Sequence, residues 1–239
     1  MGRSPTNTAQ CLRQDLNQQY TKLVDTINNS QTKFIISLDG RQTINKDEKE
    51  ENSKKLFNFI KEVGKTFSLK DKFRTNPEMS RFIQLLFKIP IHKKIDLISN
   101  IDQNITIKYF DNRRSGNKYI SDMNSNSDWE VLNYTKDRYV KRGIHNMCDV
   151  GLTSHSIIGQ EFDKIIIPLD WNFFYTEQSI TDSKTGEIKV FKLLETTDNF
   201  YPLKKMLYQN LTRTRGKIEV VIIENRSIFN EICGLVDSL

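Results

Sequence analysis

Thr153-Ser154-His155-Ser156-Ile157-Ile158-Gly159-Gln160-Glu161-Phe162-Asp163 runs straight into Lys164-Ile165-Ile166-Ile167-Pro168-Leu169 and then Asp170. The isoleucine run does not alternate with polar residues, so it reads as a strand buried on both faces. Ile218 to Ile223 has the same density of Ile and Val. Upstream, Ile105 to Phe110 alternates like a strand, residues 114 to 125 predict a helix, and Trp129 to Tyr134 reads as another strand. Strand, helix, strand in succession is the signature of a parallel sheet covered by helices. The predicted class is α/β, with an open and mainly parallel sheet flanked by helices.

Working outward, residues 77 to 88 predict a helix with Pro77 in its first turn, an apolar face that includes Met79, Phe82, Ile83 and Leu86, and Pro90 closing it. Thr181 to Gly186 carries strong turn chemistry, which predicts a hairpin-like insertion at about 171–200. Residues 1–32 read as a polar tail, with Leu12, Leu16, Tyr20, Leu23, Val24 and Ile27 at the spacing that predicts one amphipathic helix. Residues 33–70 hold a buried-type strand, Phe34 to Leu38, then a charged stretch and a helix striped by Leu56, Phe57, Ile60 and Val63 that stops at Gly64. Residues 71–239 make up the larger domain.

At 239 residues and 37% hydrophobic content the chain has enough apolar surface for a core. Its 36 Lys and Arg against 30 Asp and Glu give a net charge of +6, compatible with a phosphate-backbone partner without demanding one. Cys11, Cys148 and Cys233 are widely spaced and form no C-x-x-C pair, which argues against a disulfide framework or zinc ribbon and for a reducing cytoplasm. His92 and His145 lack metal-ligand spacing, so no metal ligands are assigned. No apolar run approaches the roughly 18 residues that span a bilayer, and the first residues lack the apolar core of a signal peptide. A soluble protein without a membrane partner is expected.

Two segments carry a resemblance. Thr153, His155, Gly159, Glu161 and Phe162 match every position of T-x-H-x-x-x-G-x-E-F, helicase motif V of superfamily 1. Met206 to Gly216, with Leu211-Thr212-Arg213-Thr214-Arg215, is similar to motif VI. Asp39-Gly40-Arg41-Gln42 and Lys72-Phe73-Arg74-Thr75-Asn76-Pro77-Glu78 resemble motifs III and IV, in the expected order. The chain thus resembles the C-terminal, RecA-like half of a superfamily 1 nucleic-acid helicase of the Schlafen-like branch. The resemblance implies that Gln42 senses the γ-phosphate and that Arg213 stabilises charge on the transferred phosphoryl group. It also implies that Arg74, Gly159, Glu161 and Arg215 face the nucleotide and that Thr153 and His155 face nucleic acid. A guanidinium suits phosphate because it stays protonated and hydrogen-bonds two oxygens at once.

The departures matter as much. A motor needs G-x-x-x-x-G-K-[ST], but Gly64-Lys65-Thr66 is preceded by Phe59 where the first glycine should stand, and by a helical stripe instead of a strand. No Asp-Glu pair after an apolar strand precedes residue 34 either. ATP and Mg2+ are therefore expected only when a phosphate-loop lobe, in cis or in trans, completes the site. Each residue also has a plainer reading: Gly159 as a turn, Glu161 as a solvated charge, His155 as a bonded loop residue, and Arg213, Arg215, Lys204 and Lys205 as a basic face. Trp171, Phe173, Phe174 and Tyr175 fit either core packing or base stacking. Two functions are expected to compete: a motor lobe inactive alone, and a non-catalytic nucleic-acid-binding or regulatory module that keeps the helicase fold.

Overall fold

A computed structural model of the chain describes residues 25–27, 29–31, 33–36, 57–62, 64–67, 77–90, 104–126, 128–136, 149–182, 186–196 and 200–235. The chain divides into two units, Met1–Ser68 and Leu69–Leu239. In the first, residues 25–27 and 57–62 are helical, and the Gly64 N–H donates to the Ile60 carbonyl at 3.0 Å. The chain before Gly64-Lys65-Thr66 is thus a helix end and not the strand that a phosphate loop follows. Residues 33–36 correct one expectation: they belong to no strand, and Phe34 and Ile35 are 40% and 90% exposed. An apolar run becomes a strand only beside another strand, and none is present among the described residues of this unit.

In the second unit, helix α1 (Pro77–Phe87) leads into strand β1 (Lys88–Pro90). Then follow β2 (Ile105–Phe110), α2 (Arg113–Asn126), β3 (Glu130–Asn133), β4 (Leu152–Thr153) and β5 (Phe162–Leu169). The hairpin β6 (Phe173–Asp182) and β7 (Gly186–Glu195) comes next, then α3 (Leu203–Leu211), β8 (Thr214–Ile223) and α4 (Arg226–Cys233). Five strands form a parallel sheet in the order β2-β8-β5-β3-β4. Ile105, Ile218, Ile165 and Glu130 stand side by side across it.

Burial explains the sequence pattern. Ile165 to Leu169 and Ile218 to Ile223 are buried without a break, so both faces of the central strands are covered. On one face, Ile120 of α2 meets Val131, Ile166, Val221 and Ile223. A Cβ on Gly116 would stand 2.7 Å from Ile223, so glycine lets α2 settle this closely. Next along each strand the side chains point the other way, where α3 and α4 bring Leu203, Met206, Leu207, Leu211, Ile228 and Ile232. Each fully buried side chain of this kind contributes about 1.5–3 kcal/mol.

The insertion is an antiparallel hairpin whose ladder runs from Phe173 opposite Glu195 to Asp182 opposite Gly186. It belongs to a separate three-stranded sheet, β1-β7-β6. Lys88, expected as the last helix residue, instead opens β1 with Ile89 and Pro90, and the three pair with β7. The aromatic cluster splits: Phe173 is buried, Tyr175 is half-buried and donates its hydroxyl to the Leu86 carbonyl at 2.6 Å, and Trp171 and Phe174 are exposed. No helix among the described residues is long and apolar enough to cross a membrane.

Candidate functional site

The motif-like segments are drawn together at the amino ends of β5 and β8. Leaving β4, the chain makes a compact turn over residues 154–159, pinned by the buried Ile157, whose N–H donates to the Thr153 carbonyl. Gly159 then takes a φ of +83°, which an L side chain rarely adopts. The Phe162 N–H donates to the Arg213 carbonyl at 2.8 Å, so the two segments share a backbone bond where their strands start. Gly216 permits this approach, because a Cβ there would lie 2.4 Å from the Asp163 carbonyl oxygen.

At that edge Gly159, Glu161, Asp163 and Arg215 line an open polar cavity of about 440 Å3. Arg215 donates from both Nε and Nη2 to Oε2 of Glu161. Its side chain is 64% exposed and that of Glu161 21%. With Glu161 and Asp163 ionised against one guanidinium, the lining carries a net charge of −1, which does not by itself favour an anionic ligand.

Arg213, the residue expected to act on phosphate, is 3% exposed and does not line this cavity. It ends the turn after α3, where its N–H donates to the Asn210 carbonyl. Arg215, one step inside β8, takes the exposed position. Gln42 and Arg74 lie outside the described residues.

Thr153 and His155 stand at the other end of the sheet, where β3 and β4 finish. The Ser154 hydroxyl donates to the Asn133 carbonyl at 3.1 Å. His155 donates its N–H to Thr135 Oγ1, and its Nδ1 lies 2.7 Å from the same oxygen. Below, Gln209 donates to the Ser154 carbonyl and Asn210 to the carbonyls of Leu132 and Asn133. Tyr134 donates its hydroxyl to the Pro168 carbonyl at 3.0 Å, and burial pushes its titration far above the usual range. Above this floor is a second cavity of about 360 Å3, bounded by Asn133, Thr135, Lys136, Thr153, Asn172 and Leu203 among others.

The sequence offered a signal for this floor that went unused: Gln209-Asn210 sits inside an otherwise apolar helix turn, and a buried amide pair implies backbone groups to be satisfied. Among the described residues no three His, Cys, Asp or Glu stand together as a metal site. Fold and site define an α/β protein with a parallel five-stranded sheet flanked by helices, a polar cavity at the amino ends of β5 and β8 and a mainly apolar one at the carboxyl end of β3. No family model matches the chain, and no curated protein matches it.

Proposed function

We propose that the chain is the C-terminal motor lobe of an ATP-dependent nucleic-acid helicase or translocase of the Schlafen-like branch of superfamily 1, with a RecA-like fold. In this reading its nucleotide edge is at Gly159, Glu161 and Arg215, and its strand edge at Thr153 and His155. The observation that carries it is the Arg215–Glu161 ion pair, which brings the motif V-like and motif VI-like segments, 54 residues apart, onto one cavity. The parallel sheet is compatible with the fold. The guanidinium supplies phosphate recognition, but two carboxylates offset it, so ATP and Mg2+ need the cations and backbone donors of a phosphate-loop lobe.

Under this reading Arg215, not Arg213, meets the phosphate. The test is to add a separately expressed phosphate-loop lobe of the same superfamily and measure ATP turnover with and without a nucleic-acid strand. Strand-stimulated turnover that Arg215→Ala abolishes supports the motor lobe. Turnover near 1 per second or above, typical of an enzyme, by the chain alone would refute it.

The burial of Arg213 favours a second reading, a non-catalytic module that binds a strand and has given up phosphate chemistry. Strand binding with no ATP turnover in any combination of lobes supports that alternative.

A further inference from the structure

We infer that the outer edge of β6 pairs antiparallel with β6 of a second copy of the chain, across a two-fold axis at Gln178. The pairing is independent of the motor-lobe reading, since it rests on the hairpin alone.

The phase of the ladder decides which backbone groups face outward. The Thr196 N–H donates to the Asn172 carbonyl at 2.9 Å, which makes that pair a hydrogen-bonded one. With Phe173 opposite Glu195, the residues whose N–H and C=O point at β7 are then Phe174, Thr176, Gln178 and Ile180. Tyr175, Glu177, Ser179 and Thr181 turn theirs the other way. Phe173 does too, but its N–H donates to the Asp170 carbonyl and its carbonyl accepts from Asn225. The edge is closed at its first residue, and beyond it no strand among the described residues pairs with it.

Sheet edges are ordinarily blunted by lysine, proline, bulges or shortness. The opposite edge of this sheet is blunted: β1 has three residues and ends at Pro90. By contrast β6 has ten residues, and its register with β7 is unbroken. Between Phe173 and Thr181 its one charged residue is Glu177, which Lys189 of β7 already pairs at 2.7 Å. Such an edge takes an extended backbone as its ligand.

A second copy supplies that backbone in one register. With Gln178 on the axis, Tyr175 faces Thr181 of the copy and Glu177 faces its Ser179, so the outward residues meet only one another and exchange about eight bonds. An axis at Glu177 would set two carboxylates face to face. An axis at Thr176, Ser179 or Ile180 would leave at least one of the four outside the ladder. The Gln178 register also sets Thr176 against Ile180 of the copy, with the exposed Phe174 diagonal to that isoleucine, both contacts that strands favour. Lys189, opposite Ser179 in the hairpin, then shares a row with Glu177 of the copy, so the charges complement each other.

The experiment uses the full chain with single cysteine substitutions, oxidised at high chain concentration because a strand edge is a small interface. Mass spectrometry of the joined peptides separates the new disulfide from links through Cys11, Cys148 or Cys233. Gln178→Cys should link to itself, since Cα atoms across a non-hydrogen-bonded pair stand roughly 4.5 Å apart, within disulfide reach. Glu177→Cys and Ser179→Cys should link roughly tenfold less, because each meets its own copy on a diagonal of about 7–8 Å. Adding Ser179→Pro to Gln178→Cys should abolish the link while leaving the urea midpoint near that of the parent, because the Ser179 N–H points away from β7 and an edge tolerates proline. Sedimentation of the wild type should show a monomer–dimer equilibrium that Ser179→Pro moves to monomer. Equal linkage at 177, 178 and 179, linkage of Gln178→Cys that survives Ser179→Pro, or a wild type that stays monomeric overturns the pairing.

Discussion

The guanidinium of Arg215 is clamped by a single carboxylate oxygen of Glu161, a residue 54 positions earlier in the chain. The pair is largely solvent-exposed on the arginine side, and exposed pairs contribute about 0–1 kcal/mol. Arg215→Ala should therefore leave chemical denaturation almost unchanged. In the reconstituted motor the same substitution should lower ATP turnover by roughly 10³–10⁵, the range for a phosphate-facing arginine. A large stability loss, or undiminished turnover, would show that the pair serves the fold instead.

Gly216 lies where β8 passes closest to β5, with Asp163 O only 2.4 Å from the place of a Cβ. A methyl group there collides with backbone, which cannot swing away as a side chain can. Gly216→Ala is expected to cost about 1–3 kcal/mol, as overpacking does, measured by urea unfolding. No change in the unfolding midpoint would mean that the strands start farther apart than described.

Glu219 is a carboxylate only 4% exposed in the middle of a central strand. Tyr119 donates to its Oε1 at 2.6 Å, and Lys108 stands 3.2 Å from its Oε2. Burial alone depresses the Lys108 ammonium, but its bonds to Tyr119 and the charge of Glu219 outweigh that and hold it above the usual value. Glu219→Gln should destabilise the fold by about 1–3 kcal/mol and lower the Lys108 titration seen by NMR. A Lys108 titration unmoved by the substitution contradicts the network.

Asp170, at the carboxyl end of β5, is raised above the ordinary carboxyl value, chiefly by burial and against the bonds it accepts from Asn172. An acid raised in the native state destabilises the fold where it is ionised, above its native value. The penalty disappears as pH falls through that value toward the unfolded one. Wild type should therefore gain stability relative to Asp170→Asn as pH falls from neutral toward about 4. A pH-independent difference between the two unfolding free energies would refute the shift.

Much of the fold was legible because uninterrupted Ile and Val runs occur where both faces are buried, as at 165–167 and 220–223. The helix at 113–126 and the hairpin were legible from periodicity and from the turn at Thr181 to Gly186. Strand β1 was not, since Lys88 to Pro90 extend only because β7 offers them an edge. At the site, the motifs marked Gly159 and Glu161, but a motif cannot tell Arg213 from Arg215. One ends a turn and the other lies within a strand, and packing decides which reaches solvent.

The central claim is that Gly159, Glu161 and Arg215 face a nucleotide. Two-dimensional amide NMR of the isotopically labelled chain, titrated with MgATP, tests it most directly. The expected result is saturable shifts, weak in affinity because the partner lobe is missing, at the amides of Gly159 to Asp163 and of Arg215 and Gly216, abolished by Arg215→Ala. Shifts confined to the Thr153–His155 end of the sheet, or none at millimolar nucleotide, would contradict it.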